Sequence, residues 1–230
     1  MPRTFSDRVA PTAVLWDMDG TLIDTEPYWM AAETELVEAH GGVWTRQDGL
    51  AMVGSAMSVA AVALRGRGVD LPDDEIADFL NTRVAAGVAA GIPWQEGAQE
   101  ILAALHGAGV PMALVTSSFR TLAEPFAAAV GLFDVVVTGD EVTHPKPDPE
   151  PYLVAAQRLG VDIAECVAVE DSHSGIASAV ASGARVVAVE VMQALTTRPG
   201  LSRVASLADL TLADLARIGG GDVLDLRRAS

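Results

Sequence analysis

Short apolar runs bounded by turn residues recur along the chain at Ala13–Trp16, Met112–Val115, Val135–Val137, Val167–Val169 and Val186–Val189. They are aliphatic or β-branched and do not alternate with polar residues, the pattern of parallel strands buried on both faces. Helical periodicity fills the intervals. Ala98–Leu105 places Ile101, Leu102 and Leu105 on one stripe and stops before Gly107 and Gly109. Thr121–Val130 stops at Gly131, Glu150–Leu159 follows Pro147 and Pro149 and stops at Gly160, and Ser174–Ala181 stops before Gly183. Proline before a helix and glycine after it are ordinary boundary signals. Strand and helix in repeated alternation predict a doubly wound α/β sheet.

The rhythm breaks between about Glu26 and Gly91, where no strand-like run occurs and Ala, Glu and Met are frequent. Helices are expected here, including Trp29–Ala39 and Asp74–Ala90. The chain therefore divides into an α/β core over residues 1–25 and 92–230 and an inserted α-helical cap over 26–91. The crossings lie near Thr25–Pro27 and Gly91–Pro93, where glycine and proline suit a hinge.

Composition narrows the function. Of the 230 residues, 50% are apolar and 20% charged, enough for a large core. The net charge of −16 argues against nucleic acid and anionic membrane as partners, because both require a basic surface. Cys166 is the single cysteine, so no disulfide forms within the chain. Met1 to Ala13 lacks the apolar stretch of a signal peptide, and the apolar runs are too short to span a bilayer. A cytoplasmic monomer acting on a small molecule is the expectation. The basic residues are fourteen arginines and one lysine, Lys146, so any chemistry that needs a lysine must use that one.

Four polar groups follow expected strands: Asp17-Met18-Asp19-Gly20-Thr21, Thr116-Ser117-Ser118, His144-Pro145-Lys146-Pro147-Asp148-Pro149 and Glu170-Asp171-Ser172. In open parallel sheets the ligand crevice lies beyond the carboxyl ends of the strands, so four loops converge on one place. Taken singly, each group has an ordinary explanation as a turn or a helix N-cap. Together they set Asp17, Asp19, Glu170 and Asp171 within reach of one another. Four such carboxylates repel unless some stay protonated or a hard cation joins them. Mg²⁺ favours oxygen ligands and binds through a few carboxylates plus a substrate phosphate. Lys146 and the Thr116 hydroxyl add a positive charge and a donor for an anion. Metal, lysine, hydroxyl and a spare carboxylate compose a phosphoryl-transfer site.

These motifs, in this order and over nearly the whole chain, resemble the haloacid dehalogenase superfamily of phosphohydrolases. The helical insertion just after the first motif is similar to the branch with a small α-helical cap, which includes β-phosphoglucomutase and phosphoglycolate phosphatase. The resemblance implies a Rossmann-like core and assigns roles. Asp17 would be the nucleophile that forms an aspartyl-phosphate. Asp19 would act as acid and then base, its backbone carbonyl touching Mg²⁺. Thr116, Ser117 and Lys146 would hold the phosphoryl oxygens, Gly20 would permit the tight backbone beside them, and Asp17, Glu170 and Asp171 would hold the metal. Asp19 favours phosphate chemistry over dehalogenation, where that carboxylate is usually absent. A phosphonatase needs a cap lysine, and the cap has none.

The expected reaction is hydrolysis of a small sugar, polyol or nucleoside phosphate. Two alternatives stand beside it: a mutase like β-phosphoglucomutase, and a catalytically idle binding or regulatory protein. In the mutase, a histidine restraining the acid–base aspartate aligns with Trp29, and an arginine that grips a second phosphate aligns near Met57. Arg46, Arg65, Arg67 and Arg83 are the remaining cap cations that could reach such a phosphate. Trp29, Trp44 and Trp94 read mainly as packing.

Overall fold

The computed structural model describes residues 10–53, 55, 57–190 and 199–227. Among these residues six parallel strands form one sheet: β1 (Ala13–Trp16), β2 (Met112–Val115), β3 (Val135–Val137), β4 (Cys166–Glu170), β5 (Arg185–Val189) and β6 (Leu201–Val204). Their order is β3-β2-β1-β4-β5-β6, so the direction of winding reverses between β1 and β4. Reversal opens a crevice at the carboxyl ends of these two strands. Asp17 is the residue after β1, and Glu170 ends β4.

β1, β2, β4 and β6 are buried on both faces, β3 is half-buried at the sheet edge, and side-chain size sorts by face. Ala13, Leu15, Ala113, Val115, Ala168 and Ala188 pack beneath α7 (Glu150–Leu159) and α8 (His173–Ser182). Val14, Trp16, Met112, Leu114, Val167, Val169 and Val187 face α5 (Ala98–Gly107), α6 (Arg120–Val130) and α9 (Leu212–Gly219). The alanines admit α7 and α8 close to the sheet, which brings Tyr152 of α7 under the crevice. Burial of this apolar surface supplies the main stabilisation of the core.

Among the described residues, four helices lie between β1 and α5: α1 (Glu26–Ala39), α2 (Arg46–Met52), α3 (Met57–Arg65) and α4 (Asp73–Ala90). They carry an apolar cluster of their own, with Leu36, Val37, Trp44, Leu64, Ile76 and Leu80. A capping box between Thr45 and Asp48 starts α2. The two chain crossings lie side by side: Asp24 N–H donates to Pro93 O at 2.8 Å and Gln95 N–H to Leu22 O at 2.9 Å. Among the described residues no helix is long and apolar enough to cross a membrane.

The strands and the long helices lie within a few residues of the sequence reading. The exceptions are β6 and α9, which the apolar pattern did not announce. β6 is an edge strand, Leu201-Ser-Arg-Val; Ser202 Oγ accepts Leu224 N–H from the following chain at 3.1 Å, and the Arg203 guanidinium pairs with Glu190 just beyond β5. Cys166 is the first residue of β4 rather than its forerunner. Burial pushes its thiol up to about 12, so it is an inert packing group.

Candidate active site

Asp17 leaves β1 with its N–H still paired to Val169 O at 3.1 Å, an extension of the sheet that fixes its position. Its carboxylate is almost wholly enclosed. Lys146 Nζ, equally buried, donates to Asp17 Oδ1 at 2.7 Å, to Glu170 Oε1 at 2.6 Å and to Val115 O at 2.9 Å. The three donor positions of the ammonium are thus used. Burial alone would depress the lysine pKa. Its two carboxylate partners outweigh that and hold it above its ordinary range.

Glu170 is engaged on both oxygens. Oε1 also accepts the Tyr152 hydroxyl at 2.8 Å, and Oε2 accepts Ser172 Oγ at 3.1 Å. Ser172 caps α8 by accepting Gly175 N–H at 3.0 Å. A Cβ at residue 175 would overlap the Glu170 carboxylate, so glycine is required for this fit. Glu170 therefore braces Lys146 and the start of α8. Replacing Tyr152 with Phe leaves a buried carboxylate short of one donor, and a loss of about 1–3 kcal/mol is expected, measured by denaturant unfolding.

Asp171 completes a group of three carboxylates. Ligand oxygens of Asp17, Glu170 and Asp171 all lie within 4.8 Å of one another. Asp171 Oδ1 accepts the Thr21 hydroxyl at 3.2 Å. Its other oxygen fills the space where a side chain at Gly20 would begin, and Gly20 has φ of 85°. Both facts demand glycine there. Burial first, then the charge of Glu170, pushes Asp17 up to about 7. Asp171 is raised well above its ordinary value by burial and by Asp17. Three carboxylates facing one ammonium carry two surplus negative charges when ionised. The donor set, all oxygen and short of positive charge, fits a hard divalent cation.

The fourth carboxylate is turned elsewhere. Asp19 Oδ1 accepts Thr25 Oγ1 at 2.6 Å and the Trp29 indole N–H at 3.3 Å. Oδ2 accepts Ser118 Oγ at 2.7 Å and Thr116 Oγ1 at 3.2 Å. Thr25 occupies the N-cap position of α1 yet spends its hydroxyl on Asp19 instead of capping. Cap and core thus both hold this side chain. Of the four carboxylates expected together, three share the crevice, and Asp19 faces the cap pocket with Ser117, Ser118, Trp29, Glu26 and Glu33. Four of these contacts were not legible in the sequence: Thr25 and Tyr152 lacked any distinguishing pattern, Ser118 was named only as a member of the Thr116-Ser117-Ser118 group with no role of its own, and Trp29 read as packing although it donates to Asp19.

The sequence profile of the haloacid dehalogenase-like hydrolases matches residues 11–183. Hexitol phosphatase A of Escherichia coli (strain K12) is 33% identical over 207 residues, 89% of this chain and 91% of the relative. Fructose-1-phosphate phosphatase YqaB of the same organism is 33% identical over 183 residues, 78% of this chain and 96% of the relative. The crystal structure of CbbY from Rhodobacter sphaeroides in complex with phosphate superposes with a TM-score of 0.78 at 28% identity, covering 86% of this chain and 96% of that one. Motifs, sheet order and these likenesses agree: the chain belongs to the haloacid dehalogenase-like hydrolases and is a phosphoric monoester hydrolase of that family.

Proposed function

We propose that the chain hydrolyses a sugar or polyol monophosphate through a phosphorylated Asp17, with Mg²⁺ bound by Asp17, Asp171 and the backbone of Asp19. The observation that carries this reading is the separation of two aspartates two residues apart. Asp17 is locked to Lys146 in the crevice, and Asp19 is held by four donors at the mouth of the cap pocket. This separation supports Asp17 as the group that attacks phosphorus and Asp19 as the group that serves the leaving oxygen.

In the first step an Asp17 oxygen forms a bond to phosphorus as the bond to the leaving oxygen breaks, and Asp19 gives that oxygen its proton. In the second, Asp19 takes a proton from water as the water oxygen attacks phosphorus, releasing inorganic phosphate and restoring the Asp17 carboxylate. On this reading Lys146, Thr116 and Ser117 would hold the phosphoryl oxygens once substrate enters. Lys146 also lowers the charge repulsion between Asp17 and an incoming phosphate. Bound Mg²⁺ would neutralise charge on the phosphoryl oxygens. Glu170 braces Lys146 and closes the metal's acidic surroundings. The names of the hexitol and fructose 1-phosphate phosphatases support a sugar or polyol leaving group. We further propose that residues 26–91 act as a lid over the core of 1–25 and 92–230. The paired crossings at Asp24–Pro93 and Gln95–Leu22 support one hinge rather than two.

Release of inorganic phosphate from a hexitol monophosphate tests the reading. Turnover is expected with Mg²⁺ and is abolished by EDTA. Asp171→Asn is expected to raise the Mg²⁺ needed for half-maximal rate at least about tenfold. It should also reduce the protons released when Mg²⁺ is titrated into weakly buffered protein, because carboxylates held protonated must ionise to bind metal. Full activity in EDTA would remove the metal from the scheme. Absence of turnover with every monoester would favour the idle binding protein. Conversion of β-glucose 1-phosphate to glucose 6-phosphate without free phosphate would favour the mutase.

A further inference from the structure

The cap pocket is acidic where a second phosphate would lie. Glu26, Trp29 and Glu33 follow one another at spacings of three and four residues along one face of α1, and all three line the pocket. Met52, Met57 and Leu80 provide its apolar wall. Glu33 is 4% exposed, and its Oε2 accepts the Trp44 indole N–H at 3.1 Å. Gly49 keeps this corner open: a Cβ there would sit 3.5 Å from the same oxygen and 3.2 Å from Met30.

No basic side chain lines the pocket among the described residues. The cap arginines are exposed and engaged elsewhere: Arg65 pairs with Asp73, Arg67 with Asp48, and Arg83 with Glu35 at 2.6 Å. Arg46 is exposed at the start of α2. An anionic leaving group would therefore meet two carboxyls and no counter-charge, an unfavourable burial.

We propose that Glu33 determines which leaving group is accepted: its carboxyl, anchored by Trp44, makes the polar contact to a hydroxyl of an uncharged polyol or sugar, and together with Glu26 it rejects leaving groups that carry a second anion. This rests on the phosphatase reading above. The geometry leaves one oxygen of Glu33 for the ligand while the indole fixes the other. Burial, opposed by the Trp44 bond and reinforced by Glu26, pushes Glu33 up to about 7, so near neutrality the carboxyl is available both as donor and as acceptor to a hydroxyl. Sites built to bond a substrate hydroxyl discriminate strongly, because the buried group is stranded when the wrong ligand enters.

The experiment compares kcat/KM of the Mg²⁺-loaded full chain on four probes: sorbitol 6-phosphate, fructose 1,6-bisphosphate, phosphoethanolamine and p-nitrophenyl phosphate. The wild type is expected to prefer sorbitol 6-phosphate over the bisphosphate by at least about a hundredfold. In Glu33→Leu the ratio of kcat/KM for sorbitol 6-phosphate to that for p-nitrophenyl phosphate is expected to fall about ten- to a hundredfold, chiefly through KM. Glu33→Gln, which keeps a hydrogen-bonding group of the same shape, is expected to recover most of that ratio. Trp44→Phe, which frees the carboxyl, is expected to raise KM for sorbitol 6-phosphate. Equal losses on both substrates in Glu33→Leu would show a purely structural role and overturn the proposal. Preference for the bisphosphate or for the ammonium-bearing probe would overturn it too. Failure to hydrolyse any of the four probes, p-nitrophenyl phosphate included, would instead bring down the phosphatase reading and this proposal with it.

Discussion

Asp17→Asn is expected to lower kcat by roughly four orders of magnitude or more, the scale of losing a covalent nucleophile. The amide preserves shape and can still accept the Lys146 hydrogen bond, but it cannot attack phosphorus. Stability should move the other way. The Asp17 carboxyl holds its proton up to about 7 in the metal-free fold, whereas in the unfolded chain it is ionised from about 4 upward. The folded state therefore binds the proton more tightly, and metal-free stability falls as pH rises across that window. Asparagine has no proton to lose, so the variant should be the more stable protein at pH 8, by on the order of 1–3 kcal/mol. Phosphate release and denaturant unfolding in EDTA at pH 5 and pH 8 give both readouts, with mass spectrometry to exclude deamidation. Near wild-type turnover by an undeamidated variant would remove Asp17 from the nucleophile's role.

Lys146→Met is expected to be the most damaging single change to the fold. The thioether replaces an ammonium that meets two carboxylates and a backbone carbonyl inside the protein. Removing one member of a buried ionic cluster costs about 3–5 kcal/mol, because the partners remain buried without a counter-charge. The loss should be smallest near pH 5, where the orphaned carboxyls can take protons, and should shrink when Mg²⁺ is supplied. Activity should fall by at least about a thousandfold, since phosphoryl transfer relies on such fixed charge. Arg217→Met serves as the control: that arginine pairs with Asp222 at 3.0 Å on the surface, and exposed pairs contribute little. A Lys146→Met destabilisation under about 1 kcal/mol at pH 8 would contradict the charge arrangement described above.

The sheet and the crevice were legible because their signals are local. An apolar run followed by a polar pair marks a strand end, and the parallel topology gathers those ends. The loops that carry Asp17, Thr116, Lys146 and Asp171 could therefore be gathered at one edge of the sheet by position alone. Tyr152 could not. It sits on α7 among apolar neighbours, and only tertiary packing over the alanine face of the sheet carries its hydroxyl to Glu170. Glu33 and Trp44 are eleven residues apart on different segments, and neither forms a pattern with the other. Ser118 and Thr25 resemble helix caps, and the sequence does not say that their hydroxyls turn to Asp19. The Asp19 carboxylate lies outside the group formed by Asp17, Glu170 and Asp171 for the same reason: adjacency in sequence fixes where the backbone runs, while four donors decide where the carboxylate points.

Lys146 is the sole lysine of the 230 residues, and it is 4% exposed with its ammonium fully engaged. Amine-directed reagents therefore find no reactive side chain in the native protein. Acylation needs a free, deprotonated amine, which arises here only when the crevice opens and both ion pairs part. The rate at which an amine-selective label accumulates on this one position thus reports the free energy of local opening, in the manner of amide exchange but at a single atom.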